Sequence, residues 1–109
     1  MAEPVPVLCV VAPCYNEAEV IERFYTALKS VLNSLTGLSH RIIMVDDGSD
    51  DGTLEKLNRL AAHDPFLLVY SLSRNFGHQI ALTAGLDAAH GDAVVMMDVQ
   101  RAPAERRFA

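Results

Sequence analysis

The strongest constraint on how this chain folds is a regular alternation of short apolar runs with longer stretches of helical period. Val5 to Ala12 (VPVLCVVA), Arg41 to Val45 (RIIMV), Phe66 to Ser71 (FLLVYS) and Asp92 to Met97 (DAVVMM) are four such runs. Each is short, and none shows the strict polar alternation of a strand with one wet face. The first reads as a strand buried on both faces and ended by Pro13, the next two as the second and third strands, and the last as a fourth buried strand.

The intervening stretches have the period of helices. From Glu17 to Leu35, Val20, Phe24, Ala27, Leu28, Val31, Leu32 and Leu35 recur at three- and four-residue steps, and Gly37 follows as a stop. Asn16 is the expected N-cap, with Glu17 and Glu19 suited to the positive end of the helix dipole. A second helix is expected from Thr53 to about Ala62, with Leu54, Leu57, Leu60 and Ala61 inward. A third is expected from His78 to Ala89, where Ala81, Ala84, Gly85 and Ala88 are small enough for close packing on a sheet.

The order is therefore β-α-β-α-β-α-β. Strands joined through helices need crossover connections, so the fold class is α/β, with a mainly parallel four-stranded sheet flanked by helices and right-handed connections. Open sheets of this kind bind ligands beyond the carboxyl ends of their strands. The loops at those ends are Pro13 to Glu17, Asp46 to Gly52, Leu72 to Gly77, and Asp98 onward. All the unusual polar clusters of the chain fall in these four loops.

Composition narrows the functional classes. Half of the 109 residues are hydrophobic and 21% are charged, which suits one packed domain and not a disordered segment. The net charge of -5 lacks the clustered Lys and Arg of a nucleic-acid or anionic-membrane surface. Cys9 and Cys14 are the only cysteines, badly placed to pair with each other, so a reducing, cytoplasmic setting is expected. The first apolar run is too short to span a bilayer, and no transmembrane segment is expected.

Of the fourteen acidic residues, Asp46, Asp47, Asp50, Asp51 and Glu55 crowd one loop and the helix start after it. No phosphate-cradling glycine motif is present. A calcium loop fits at Asp47, Ser49, Asp51 and Gly52, but its twelfth position holds Asn58 where a bidentate Glu is needed. A helix-capping turn explains Ser49 to Gly52 and leaves the adjacent carboxylates Asp46 and Asp47 unexplained. Nucleotide recognition is the remaining reading, with carboxylates accepting from ribose hydroxyls or base N–H groups. Asp98, at the end of the fourth run, is placed to hold Mg²⁺ or Mn²⁺ at a diphosphate, and Arg74 is suited to bidentate phosphate contact. His78 reads as a helix-start residue.

Four segments taken together resemble family-2 glycosyltransferases of the GT-A type, specifically polyprenyl-phosphate sugar transferases such as dolichol-phosphate mannose synthases and bactoprenol glucosyltransferases. Pro13-Cys14-Tyr15-Asn16-Glu17 resembles P-x-Y-N-E, and Val45 to Thr53 resembles V-D-D-G-S-x-D-G-T. Ser73-Arg74-Asn75-Phe76-Gly77, with Ala81, Gly85, Ala88 and Gly91-Asp92, resembles S-R-N-F-G…A…G…A…G-D. Met97-Asp98 resembles the start of M-D-A-D-L-Q.

The resemblance implies a Rossmann-like, nucleotide-sugar-binding half of a GT-A domain over residues 1–98. By analogy Pro13, Tyr15, Asn16, Glu17, Asp47, Arg74 and Asn75 face a UDP- or GDP-sugar, and Asp46 supports the loop. Asp98 is the first metal carboxylate. The implied reaction transfers the sugar to a polyprenyl phosphate with inversion, assisted by Mg²⁺ or Mn²⁺, at the inner face of the membrane in full-length relatives. After Asp98 this chain reads Val99-Gln100-Arg101, two residues short of the family pattern and without its second Asp. Gln100 is the remaining metal-ligand candidate there. Residues 99–109 form an atypical tail that resembles no family segment, as expected of a shortened or frame-shifted reading frame. A truncated, non-catalytic relative that binds a nucleotide or a protein partner is the alternative.

Overall fold

A computed structural model describes residues 5–99. The elements follow the expected order: β1 (Val7–Cys14), α1 (Ile21–Ser34), β2 (Ser39–Asp46), α2 (Thr53–Ala62), β3 (Leu67–Ser71), α3 (His78–Ala88) and β4 (Ala93–Met96). All four strands pair in parallel, in the order β3-β2-β1-β4. The expected α/β class and parallel sheet are what the chain adopts. Among the described residues no helix is long and apolar enough to cross a membrane.

Side chains alternate across the central strands, and the two faces carry two cores. Val10, Ala12, Ile42 and Met44 face Ile21, Leu28 and Leu32 of α1 and Leu57 of α2. Cys9, Val11, Ile43 and Val45 face Ala81 of α3. Burying each large aliphatic side chain here stabilises the fold by about 1.5–3 kcal/mol. Helix α3 sits close to the sheet because Gly85 has no side chain: a Cβ there would lie 2.5 Å from Val11 Cγ1. Cys9 and Cys14 are both buried free thiols.

Away from the carboxyl ends, a polar cluster ties α1 to the α2–β3 connection. Tyr25 donates its hydroxyl to Asp64 Oδ2, and Lys29 Nζ lies 3.1 Å from the same oxygen. Lys29 also meets His40 Nε2 at 2.9 Å.

Three local expectations are corrected. Strand β1 runs through Pro13 to Cys14 instead of stopping at the proline. The Val11 carbonyl accepts from Met97 on the β4 side and that of Cys14 accepts from Asp47 on the β2 side. Alternation therefore turns Pro13 toward the β4 side, where the ladder has already ended, so its missing N–H costs no strand pairing.

Helix α1 begins at Ile21 with Val20 as N-cap, not at Glu17 behind Asn16. Asn16 is in the left-handed region, with φ at 52°. The Glu17 carbonyl closes a turn by accepting from the Val20 and Ile21 amides. Ala27, Val31 and Leu35 of the expected apolar stripe are exposed.

Strand β4 is not buried. Val94, Val95 and Met96 are 42–56% exposed, because β4 is an edge strand with β1 on one side only and no helix among the described residues packs firmly over it.

Candidate functional site

The crossover from β1 to β2 and that from β3 to β4 leave in opposite directions, which puts a topological switch point between β1 and β4. At such points the loops leaving adjacent strands diverge and open a crevice. An open cleft of about 580 Å³ lies here, within the range typical of small-molecule sites. Pro13, Tyr15 and Glu17 from the end of β1 line it, with Asp47 after β2, Asn75 before α3 and Asp98 after β4.

The adjacent carboxylates Asp46, the last residue of β2, and Asp47, the first beyond it, bond to different loops. Asp46 is 1% exposed and supports its own loop: Oδ2 accepts the Ser49 N–H at 3.1 Å, and its carbonyl accepts from Leu72. Its other carboxylate oxygen, Oδ1, is buried with no hydrogen-bond partner among the described residues. Burial, and then the negative charge of Asp46, push the Cys14 thiol far above its ordinary value, so this sulfur stays protonated.

Asp47 instead organises the loop before α3. It accepts the Phe76 N–H at 2.8 Å on Oδ1, the Gly77 N–H at 3.1 Å on Oδ2, and the Asn75 side-chain amide at 3.0 Å on Oδ2. The two loops are in direct contact, since Gly48 lacks a side chain where a Cβ would lie 2.3 Å from the Arg74 carbonyl carbon.

The rest of the acidic loop latches the chain after β1. The Asn16 N–H donates to Ser49 Oγ at 2.8 Å, and Asn16 Oδ1 accepts the Asp50 N–H at 3.0 Å. The Glu17 N–H donates to Thr53 Oγ1 at 2.9 Å, and the Ala18 N–H to Asp51 Oδ2 at 3.1 Å. Asp51 also accepts the Thr53 N–H beside the start of α2, at 3.1 Å. Burial alone would raise the Asp51 carboxyl, but donation from the Thr53 hydroxyl and from the Ala18 and Thr53 amides outweighs it and holds the group below its ordinary value. Ser49, Asp51 and Thr53 are thus structural, but as a latch between loops. Helix α2 has Gly52 as its N-cap with no side-chain cap, so the expected capping by Ser49 is not made, and the calcium-loop reading has no support in their contacts.

Of the residues singled out from sequence, Pro13, Tyr15, Glu17, Asp47, Asn75 and Asp98 come together at the cleft. Asn16 and Asp46 lie behind the lining. Arg74 is also outside it, with its guanidinium 4.7 Å from the centre of the Phe76 ring. Gln100 lies outside the described residues.

His78 was not expected at the site, yet it lines the cleft, with Nε2 3.6 Å from Asp98 Oδ1. The signal available in sequence was its place directly after the site-facing loop. Val99 also lines the cleft while its side chain packs into the core against α1 and α2.

Comparison with known proteins agrees with this architecture. The model of the glycosyl transferase family 2 matches residues 9–101. The chain is 44% identical over 89 residues to an uncharacterized glycosyltransferase of Bacillus subtilis, covering 82% of this chain and 27% of that protein. It is 40% identical over 92 residues to a prophage bactoprenol glucosyl transferase homolog of Escherichia coli, covering 84% of this chain and 30% of the relative. Among solved structures, a mannosyltransferase of Pyrobaculum calidifontis in complex with GDP-Man and Mn²⁺ superposes with a TM-score of 0.74 at 28% identity. That match covers 87% of this chain and 28% of the other. The chain thus spans less than a third of each of these relatives' lengths. With its parallel sheet, its switch-point cleft and a family match across nearly all the described residues, the chain belongs to glycosyl transferase family 2.

Proposed function

We propose that the cleft binds the nucleotide diphosphate of a UDP- or GDP-sugar, as the donor half of a transferase that passes the sugar to a polyprenyl phosphate with inversion. The observation that carries this reading is the convergence of Tyr15, Glu17, Asp47, Asn75 and Asp98, from four separate loops, on one cleft at the switch point. The bound GDP-Man of the Pyrobaculum mannosyltransferase supports the donor, and the Escherichia coli homolog supports the lipid acceptor.

The lining suits a nucleoside. Tyr15 is 43% exposed and offers a ring face to a base. Carboxylates accept from ribose hydroxyls and base N–H groups. Three of about four lone-pair positions on Asp47 are occupied by the 75–77 loop, leaving one on Oδ1. Asp46 supports the loop from behind. Asn75 lies at the cleft, and Arg74 beside it is the cation nearest in sequence for a phosphate.

No group of three His, Cys, Asp or Glu able to hold a metal occurs among the described residues. Mg²⁺ and Mn²⁺ do not require one: Mg²⁺ is ordinarily held by one or two protein donors plus substrate phosphates and water. An exposed carboxylate at the cleft, Asp98, fits that arrangement. When bound, such an ion supplies charge neutralisation at the departing diphosphate. The protein's own part is to orient the donor and present its anomeric carbon to an acceptor phosphate that is already anionic.

Calorimetry with UDP, UDP-glucose and GDP-mannose, with and without Mn²⁺, tests this. Saturable binding supports the donor site. Transfer to a polyprenyl phosphate by this chain supports an enzyme, and binding without transfer supports a non-catalytic nucleotide-binding relative. No binding by a sample shown to be folded overturns the proposal.

A further inference from the structure

We infer that His78 and Asp98 together form a two-point cation site, a nitrogen–oxygen pair that takes Mn²⁺ in preference to Mg²⁺ and is completed by phosphate oxygens. This deepens the nucleotide-diphosphate reading of the cleft and rests on it for the completing ligand. Nε2 of His78 and Oδ1 of Asp98 are 3.6 Å apart, on opposite walls of the cleft.

Both residues are fixed at the backbone and free at the side chain. His78 opens α3, and the preceding Gly77 N–H is held by Asp47 at 3.1 Å. On the other wall, the Met97 N–H donates to the Val11 carbonyl at 2.9 Å, and the Val99 side chain is packed in the core. Asp98 lies between these two anchors. Its side chain is 64% exposed and that of His78 is 58% exposed, so each rotates freely toward a shared ion.

The separation suits one ion. Two donors about 2.1 Å from an octahedral cation, at right angles, are roughly 3 Å apart. The observed pair closes to that span through a shift of about half an ångström, well within rotation of exposed side chains. An imidazole nitrogen is a better donor to a first-row transition ion than to Mg²⁺, which favours oxygen, so of these two ions the mixed pair holds Mn²⁺ the more tightly. With only two protein donors, the remaining positions belong to water and to the ligand's phosphates.

The 109-residue chain, loaded with Mn²⁺ alone and with Mn²⁺ plus inorganic pyrophosphate, is to be examined by pulsed electron paramagnetic resonance. Pyrophosphate contains no nitrogen, so coordinated imidazole is the source of strong ¹⁴N modulation, and ¹⁵N-histidine labelling must change it. The modulation is expected in the wild type and lost in His78→Gln, with Mn²⁺ affinity falling at least about tenfold, the scale on which even outer-shell partners act. Should His78→Gln fail to fold, Asp98→Asn, which leaves His78 in place, is expected to weaken Mn²⁺ binding and the ¹⁴N modulation together, and modulation unchanged in that variant overturns the pair. Bound Mn²⁺ without ¹⁴N modulation overturns the pair while leaving the nucleotide site standing. Failure of UDP and GDP to bind, with the His78 signal retained on Mn²⁺ alone, removes the nucleotide reading and keeps the pair. No signal under any condition overturns the pair.

Discussion

The backbone N–H of Phe76 donates to Asp47 Oδ1 at 2.8 Å, joining the loop after β2 to the loop before α3. The Asp47 side chain, on a residue 3% exposed, also accepts from Gly77 and from Asn75, so one anion sets the shape of one cleft wall. Asp47→Asn replaces one acceptor oxygen with an NH₂ that faces N–H donors. The loss is expected to be about 2 kcal/mol, the scale of hydrogen bonds to a charged group, read from the urea midpoint. Nucleotide affinity should fall with it, because Asn75 and His78 lose their anchor.

Gly48 and Gly52 share a positive φ, at 77° and 97°, and differ in surroundings. A Cβ at Gly52 meets nothing within 4 Å, whereas one at Gly48 would lie 2.3 Å from Arg74 backbone carbon. Gly52→Ala is expected to cost about 1–2 kcal/mol from the left-handed backbone alone. Gly48→Ala should cost more, because backbone must move, and should also change the amide resonances of residues 74–77. Equal losses at the two positions would contradict the contact between the loops.

Stability is expected to fall in two stages on acidification. Burial, with the Lys29 ammonium adding to it, lowers the His40 imidazole below its ordinary 6.5 despite the opposing Asp64 charge. The folded state therefore takes up that proton less readily than the unfolded chain, and stability present above pH 6.5 is lost as pH falls through the folded value. The Asp64 carboxyl would be raised by burial, but the Tyr25 hydroxyl, the Phe66 N–H and Lys29 hold it below 3.8. Its contribution is present above pH 3.8 and is lost below it by the same linkage. In urea midpoints measured against pH, His40→Gln should remove the upper stage and Tyr25→Phe should weaken the lower one.

Local signals in the sequence carried most of the fold. The four strands and three helices follow from apolar periodicity, and α2 begins and ends where the turn chemistry of Gly52 and the break at Asp64-Pro65 place it. The misreadings were non-local. Asn16 has the chemistry of an N-cap, yet its side chain accepts from Asp50, 34 residues away, in another loop. The sequence of β4 matches that of a buried strand, and only the order β3-β2-β1-β4 makes it an edge. At the cleft, strand-end position marked out Asp47 and Asp98. The role of His78 depends on the distance between α3 and β4, which neither segment encodes alone.

That distance depends in turn on how closely α3 lies against the sheet, and Gly85 sets it. A Cβ at position 85 would come within 2.5 Å of Val11 Cγ1 and 3.0 Å of Val45 Cγ2, both on buried side chains of the two central strands. Neither valine has room to yield, so Gly85→Ala should push α3 outward. Overpacking of this kind costs about 1–3 kcal/mol, which outweighs the gain of up to about 1 kcal/mol from replacing glycine inside a helix. Since His78 is the first residue of α3, the displacement should also weaken Mn²⁺ binding at the cleft. A urea midpoint and an Mn²⁺ titration on the same variant test the two effects together. An alanine variant as stable as the wild type would show that α3 does not rest directly on Val11 and Val45.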